Sequence, residues 1–100
     1  MNYLDLLASK VYQAAHPETT PHDFNLPLYR LYAVLVLAKG QQVTAEDVHN
    51  AWSAWASEHA LQNQNIIPFK ELSSHTQSKD HLYVQAIHDV ARHIYSNDEK

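Results

Sequence analysis

One glycine, Gly40, in a chain of 100 residues restricts the fold more than any other feature of the sequence. Sheet proteins connect strands through tight turns, and glycine most readily adopts the backbone angles of those turns. The sequence therefore predicts an all-α protein. Cysteine is absent, which excludes disulfide bonds and thiolate chemistry. With 45% apolar and 18% charged residues, we expect residues 1–100 to form a single globular domain.

Apolar residues at helical spacing, separated by proline and capping residues, divide the chain into four helices. The predicted helices cover, in order, residues 3–15, 28–39, 45–60 and 74–95, the last capped by Ser73 or Ser74. Between the third and the fourth, residues 62–72 combine a polar stretch with Pro68. The predicted architecture is a compact four-helix domain with one extended inter-helix segment, residues 62–72.

The second predicted helix is apolar almost all the way round, from Leu31 to Ala38. A helix of this kind is normally surrounded by its neighbours, so we expect it to be the central one. Its β-branched content leaves a buried strand as the alternative. Gly40 follows it at the position of a left-handed C-terminal cap, and Thr44 begins a capping sequence for the third helix.

The net charge and the hydropathy of the sequence argue against several classes of function. A formal net charge of −4 argues against a general nucleic-acid binder, which needs a basic face to release counterions. No apolar run reaches the roughly 18 residues of a membrane span, and the N-terminus lacks the basic start of a signal peptide. No two histidines have the i, i+4 spacing of a helical metal site, so neither a metal nor another cofactor is expected. We expect a cytoplasmic protein that binds neither nucleic acid nor membrane.

The third predicted helix carries the strongest candidate binding surface. Successive helical residues turn by about 100°, so His49, Trp52, Trp55 and His59 fall within one arc of this helix. An indole with one open face stacks on a nucleobase or nicotinamide ring with about 1–3 kcal/mol. We expect Trp52 to be buried in the core. Trp55 either lines a ligand pocket, as the binding hypothesis requires, or packs in the core as well.

Two cations extend the candidate set. Arg30 interrupts an otherwise apolar helix, so it must reach the surface, pair with a carboxylate or face a ligand. Lys39, Lys70 and Lys79 are the other available partners for a phosphate group, and of these Lys70 is included among the predicted ligand-binding residues. The sequence has no glycine-rich phosphate loop and no nucleophile elbow, so a non-enzymatic protein is expected. Hydrolysis by His49 or His59 beside a carboxylate is the alternative.

Three sequence blocks occur in the order found in a known family. They are Val48-His49-Asn50-Ala51-Trp52, then Ile66-Ile67-Pro68-Phe69-Lys70-Glu71-Leu72, then Asp80. In this order they resemble the RyR repeat, named for the ryanodine receptors and also present in bacterial and phage proteins. The resemblance spans roughly residues 44–94. The whole chain is also similar to an uncharacterised family of small bacterial and phage proteins.

The RyR resemblance implies a small helical module that binds nucleotide-derived signals, including NAD-derived ones. A free-standing copy suits a phage protein that sequesters an antiviral signalling nucleotide. By matching position, the resemblance implies contributions, mostly to helix packing, from His49, Trp52, Pro68, Phe69, Leu72 and Asp80. The long loop that the family places between the tryptophan and proline blocks is replaced here by residues 57–65. Another wall, or a second subunit, must therefore complete the site.

The leading functional hypothesis is a small-molecule binding protein for a nucleotide-like ligand. Its predicted ligand-binding residues are Trp55, His59, Trp52, His49, Arg30, Phe69 and Lys70. A helical protein–protein interaction module is the first alternative, and a small hydrolase acting on a nucleotide signal is the second. A homo-oligomer is expected, because a monomer of 100 residues has little room for an enclosed pocket of a few hundred Å³.

Overall fold

Helices account for all the regular secondary structure in the computed structural model, which describes residues 2–18, 25–59 and 63–96. Among these residues there are four long helices: α1 (Tyr3–Ala15), α2 (Leu26–Lys39), α3 (Ala45–Glu58) and α5 (His81–Ser96). A short helix, α4 (Ser74–Ser78), precedes α5, and Gly40–Gln42 and Phe69–Glu71 form 3₁₀ turns. The predicted all-α, four-helix fold class is confirmed.

Helix α1 begins and ends where the sequence predicts. The side chain of Asn2 accepts a hydrogen bond of 2.9 Å from the Asp5 amide and so caps the first turn. Its buried stripe consists of Leu7, Ala8, Val11 and Ala15. These residues repeat at helical spacing, so one face of α1 packs against α2 and α5.

Helix α2 begins at Leu26, two residues before the predicted start. Asn25 caps it by accepting a 3.3 Å hydrogen bond from the Leu28 amide, and a proline fits the first turn, where no helical hydrogen bond is needed. The prediction that α2 is surrounded by its neighbours is only partly correct. Helices α1, α3 and α5 contact it, yet Val34 and Leu37 remain 47% and 41% exposed, because three neighbours do not enclose the whole circumference.

Short-range signals set the junction between α2 and α3. Gly40 has a φ of +55° and a ψ of −122°, so it ends α2 at the predicted position but outside the left-handed helical conformation that was expected. Thr44 and Asp47 form a reciprocal capping box: the Thr44 hydroxyl accepts from the Asp47 amide at 3.2 Å, and the Asp47 carboxylate accepts from the Thr44 amide at 2.9 Å. Helix α3 runs to Glu58, and the predicted end at Ala60 lies outside the described residues.

The predicted last helix is divided into α4 and α5 by a break at Lys79 and Asp80. The Asp80 carbonyl accepts from the amides of Tyr83 and Val84, so Asp80 occupies the position before the first turn of α5. Aspartate is favoured there, whereas Ser73 caps the short α4 separately by accepting from the Thr76 amide at 3.2 Å. Two capping signals within eight positions therefore begin two helices.

The segment predicted to be extended, 62–72, is described from residue 63 onward and is not extended throughout. It contains a turn after Asn63, then Pro68, then the 3₁₀ turn Phe69–Glu71. The side-chain amide of Gln77 donates to the carbonyls of Phe69 at 3.0 Å and Leu72 at 3.1 Å. These bonds hold the segment against α4. Helix α3, the segment and α4 therefore lie on the same side of the molecule.

One core cluster draws side chains from all four long helices. Its most deeply buried large members are Val11 of α1, Val36 of α2, Val48 of α3 and Ile87 of α5. The imidazole of His88 bonds to the Val43 carbonyl at 2.8 Å and fixes α5 against the start of α3. With this core in place, the first half of α2, the middle and later turns of α3 and the first turn of α5 border a shared cleft.

Candidate functional site

A cleft of about 420 Å³ opens between α2, α3 and the stretch that joins α4 to α5. Four aromatic side chains of the described residues line it: Tyr32 from α2, Trp52 and Trp55 from α3, and Tyr83 from α5. Each indole is half-buried, so each keeps part of its ring surface accessible. The cleft is therefore a place where planar groups can stack.

Buried tyrosines form a rigid floor beneath these rings. Tyr32 is 2% exposed, and its ring centroid lies 5.6 Å from that of Tyr83. Tyr29 packs edge-on against Tyr32 at 5.2 Å and against Tyr83 at 6.4 Å. Burial raises the pKa of the Tyr29 and Tyr32 hydroxyls well above its ordinary value, so both stay neutral. Tyr32, the one of the two that lines the cleft, therefore adds no charge to it.

His49 is a buried histidine, 4% exposed, that also lines the cleft. Its Nε2 lies 2.6 Å from the Ile67 carbonyl oxygen. Because a carbonyl only accepts, Nε2 carries the proton, and in the neutral ring Nδ1 is an acceptor. The imidazole stacks beside Trp52 with centroids 5.8 Å apart and planes 26° apart. His49 is therefore held in one orientation by both a hydrogen bond and a ring contact.

Asp80 is the charged group most affected by its position in the cleft. It is half-buried, and among residues 2–18, 25–59 and 63–96 no side chain or amide donates a hydrogen bond to its carboxylate. Desolvation raises the pKa of this carboxyl, while the imidazoles of His49 and His81 act in the opposite direction. A desolvated carboxylate without donors gains free energy from any donor placed beside it.

Trp55 contributes an unpaired hydrogen-bond donor, in contrast to the acceptor oxygens of Asp80. Its indole N–H is shielded from solvent and has no hydrogen-bond acceptor within the described part of the chain. His59 covers one side of the indole, with ring centroids 4.8 Å apart, and its Nδ1 bonds to the Trp55 carbonyl at 2.8 Å. Buried polar groups are nearly always paired in native proteins, so an unpaired one in a cleft calls for an explanation.

The structure brings three of the predicted binding residues together: His49, Trp52 and Trp55 all line the cleft. Trp52 is half-buried, so the prediction that it is a buried core residue is wrong; the cleft keeps one side of it open. Phe69 lies behind His49, with ring centroids 6.1 Å apart, and His59 lies behind Trp55. Neither lines the cleft itself.

The two predicted cations lie outside the lining of the cleft. Arg30 donates a 2.6 Å hydrogen bond to Asp5 and lowers the pKa of that carboxyl, so it joins α2 to α1 at the surface. Lys70 is exposed on the 3₁₀ turn. The cation that does line the cleft is Lys79, next to Asp80 in the break between α4 and α5.

Sequence reasoning did not select the cleft residues Tyr32, Asn65 and Thr76 as ligand-binding. Tyr32 lies within the apolar run of α2, where its ring is indistinguishable from a core residue. Asn65 and Thr76 lie in polar stretches of ordinary composition. Lys79 and Asp80 lie within the single last helix that the sequence predicted, so their place at a break between two helices was not foreseen.

Two further features of the structure bear on its chemistry. Within the described residues, no three histidine, aspartate or glutamate side chains lie close enough together to hold a metal ion. None of the helices in that same part of the chain has the length and apolar character needed to cross a membrane.

Comparison with known families assigns the chain. The model of a family described as "Domain of unknown function (DUF7701)" matches residues 2–92. The chain belongs to this family. Neither the curated proteins nor the solved structures compared with the chain include a match. The DUF7701 match covers nearly the whole domain, including all the residues that line the cleft.

The expected assignment to the RyR repeat is wrong, because no RyR repeat family matches and DUF7701 does. The structure explains why the three sequence blocks led to a wrong family. Val48 is fully buried, and the bond from His49 to Ile67 joins a helix to a proline-containing segment. The blocks therefore record how these elements pack, and short motifs of this kind recur in unrelated domains. The phage and antiviral roles depended on that resemblance alone and are not carried forward for this DUF7701 domain.

Proposed function

We propose that this DUF7701 domain binds a small planar, polar molecule, of the nucleotide-like class, in the cleft between α2, α3 and the α4–α5 break. One observation carries the proposal: four aromatic rings line the same cleft as the half-buried Asp80 carboxylate, which receives no hydrogen bond from the described residues. A ligand that stacks on these rings and donates to that carboxylate gains free energy from both contacts.

The size of the cleft supports a ligand of this class. Its volume of about 420 Å³ falls in the range of about 300–1,000 Å³ typical of small-molecule sites. Aromatic walls contribute about 1–3 kcal/mol for each stacked base. The cleft is formed within one chain, so the premise that a second subunit is needed to make room does not hold. The homo-oligomer itself stays a prediction.

The charges in the cleft match a ligand with separate polar ends. Asp80 accepts hydrogen bonds from N–H groups, and Lys79 pairs with an anionic substituent such as a phosphate. His59 lies outside the cleft, and the Nε2 of His49 is bonded to Ile67, which leaves Nδ1 as the free ring nitrogen of His49. The hydrolase and protein-interaction alternatives stay predictions.

Titration of the purified protein with AMP, GMP, CMP, UMP and nicotinamide mononucleotide tests the proposal. We expect saturable binding of at least one of these probes, with one ligand per chain by calorimetry, and weakened binding by Trp55→Ala. The matched control is Tyr3→Ala, because Tyr3 is an aromatic residue that is 68% exposed on α1 and outside the cleft. Absence of binding at millimolar concentrations of every probe, or unchanged binding by Trp55→Ala, would contradict the proposal.

A further inference from the structure

The charged groups that line the cleft differ in their exposure to solvent. Asp80 is half-buried, and among residues 2–18, 25–59 and 63–96 no group donates a hydrogen bond to its carboxylate. Lys79 is the cation of the described lining, and it is exposed, so water and salt screen its ammonium group. The charge that is most shielded from solvent in the cleft is therefore negative.

Electrostatic and ring contacts place Asp80 beside two pairs of rings. Burial raises the pKa of the Tyr32 hydroxyl, and the charge of Asp80 raises it further, so the two side chains lie within electrostatic range. Desolvation raises the pKa of Asp80, and the imidazole of His49 opposes that rise, which places His49 in the same range. Tyr32 packs against Tyr83 with ring centroids 5.6 Å apart, and His49 stacks on Trp52 at 5.8 Å. The carboxylate is therefore close enough to both ring pairs to act on a ligand that contacts them.

The uncharged polar groups of the lining do not oppose a positive ligand. The amide of Asn65 and the hydroxyl of Thr76 both donate and accept hydrogen bonds. His49 donates its Nε2 proton to Ile67, so the neutral imidazole offers a lone pair at Nδ1. The indole N–H of Trp55 is covered, so this residue offers its ring to the cleft. The cleft therefore combines aromatic faces, acceptors and one shielded negative charge.

We infer that Asp80 and the surrounding rings make the cleft prefer a planar heterocycle that carries a positive charge, such as an N-alkylated pyridinium, over a neutral ring of the same size. This inference rests on the proposed function and deepens it by naming the charge of the ligand ring. The face of an aromatic ring is negative and attracts a cation within about 6 Å of its centroid. The Asp80 carboxylate adds a Coulomb attraction, which half-burial strengthens because water screens it less.

Neutral bases are expected to bind the same cleft more weakly. A ring such as guanine stacks on the aromatic walls and forms hydrogen bonds, but it gains no ion pair with Asp80. Lys79 lies beside Asp80 in the chain and repels a cation, yet its exposure reduces this effect. An anionic substituent on the ligand pairs with Lys79 and offsets the repulsion. A ligand with a cationic ring and an anionic substituent therefore matches both charges.

Two pairs of probes that differ in ring charge test the inference in calorimetric titrations of the full chain. Oxidised and reduced nicotinamide mononucleotide share the ribose and the phosphate, and only the oxidised ring is charged. 1-Methylquinolinium and quinoline are both fully aromatic and lack a phosphate, so in this pair Lys79 does not contribute through a phosphate contact. In each pair the charged member is expected to bind about 10-fold more tightly.

Asp80→Asn tests the contribution of the carboxylate, because it removes the charge and keeps the shape of the side chain. Asparagine also caps helices well, so α5 is retained, and circular dichroism checks this. We expect the preference for the charged member to fall to about 3-fold or less, since only the attraction to the rings remains. Asp89→Asn is the matched control, because Asp89 lies on α5, pairs with Arg92 and does not line the cleft. It should keep the full preference.

The outcomes separate this inference from the proposed function. Equal or weaker binding of the charged member in either pair, or a full preference retained by Asp80→Asn, would overturn the inference while ligand binding stands. The same holds if GMP or AMP binds at millimolar concentration and neither charged probe does. If none of these compounds binds at millimolar concentration, the proposed function fails together with the inference.

Discussion

The imidazole Nε2–H of His49, in the middle of α3, donates a hydrogen bond of 2.6 Å to the main-chain carbonyl of Ile67. This bond joins α3 to the segment that contains Pro68, and Gln77 joins the other end of that segment to α4. Side-chain to main-chain hydrogen bonds therefore hold these elements around the cleft. The orientation of a single imidazole fixes how one wall of the cleft is positioned.

Replacing His49 with phenylalanine removes the donor and keeps a ring of similar size. We expect His49→Phe to lower the free energy of unfolding by about 1 kcal/mol, because the Ile67 carbonyl loses its partner. Urea denaturation measures this change. Ser53→Ala is the control, since its hydroxyl lies 3.4 Å from the same nitrogen and contributes little. Equal stability of His49→Phe and the unmodified protein would show that the bond does not anchor the segment.

Trp52 and Trp55 are both half-buried, and both line the cleft. We therefore expect each alanine substitution to cost less than the about 3–5 kcal/mol typical of fully buried aromatic residues. Thermal and urea unfolding of Trp52→Ala and Trp55→Ala measure the two losses. A loss in the full range for either residue would place that indole in the core and remove it from the binding site.

Asp80 should make stability depend on pH in a defined direction. Its pKa is raised by desolvation in the folded protein, so its stabilising contribution is fully present below the unfolded pKa, about 3.9 for aspartate. That contribution is lost as the pH rises through the folded pKa. Asp80→Asn removes the titration, and we expect this variant to be the more stable at pH 7. The difference should shrink as the pH falls toward 4.

Melting temperatures of Asp80→Asn and the unmodified protein, measured from pH 4 to pH 8, check this expectation. The charged and titratable groups near Asp80 are Tyr32 from α2, His49 from α3, His81 from α5, and Lys79 beside it in the chain. A variant that is less stable than the unmodified protein throughout this range would mean that the ionised carboxylate stabilises the fold.

Gly40 has a φ of +55°, a conformation that side chains with a Cβ rarely adopt. A Cβ there would lie 3.5 Å from Tyr95 and 3.7 Å from Ala91, which are ordinary contacts, so the penalty is conformational and not steric. We expect Gly40→Ala to lower the free energy of unfolding by about 1–2 kcal/mol in urea denaturation. The neighbouring Gln41→Ala should change it little, and a stable Gly40→Ala would show that α2 ends differently.

Features determined by neighbouring residues were predictable from the sequence. The cap at Thr44 and the end of α2 at Gly40 depend on a few adjacent positions, and the structure has both. The break at Asp80 was harder, because Ser73 also begins a helix and local signals do not decide whether one helix or two follow. Local propensity fixes where a helix can begin, and packing decides whether it continues.

The cleft depends on contacts between residues that are distant in the sequence. Tyr32, Trp55 and Asp80 come from α2, α3 and the start of α5, and no spacing rule relates them. Helical periodicity placed His49, Trp52 and Trp55 on one face, which gave one wall of the cleft correctly. Helical periodicity did not indicate that Arg30 would form an ion pair with Asp5 on α1, because that pairing depends on how the two helices cross.

Binding in the cleft is tested most directly by the indole N–H resonances of the two tryptophans during an NMR titration with GMP. Trp55→Phe identifies the resonance of Trp55 and leaves that of Trp52. We predict that the Trp55 indole resonance shifts progressively and saturates at one GMP per chain, because a base that stacks in the cleft lies beside this indole. Two indole resonances that stay unchanged up to millimolar GMP would contradict this account of the cleft.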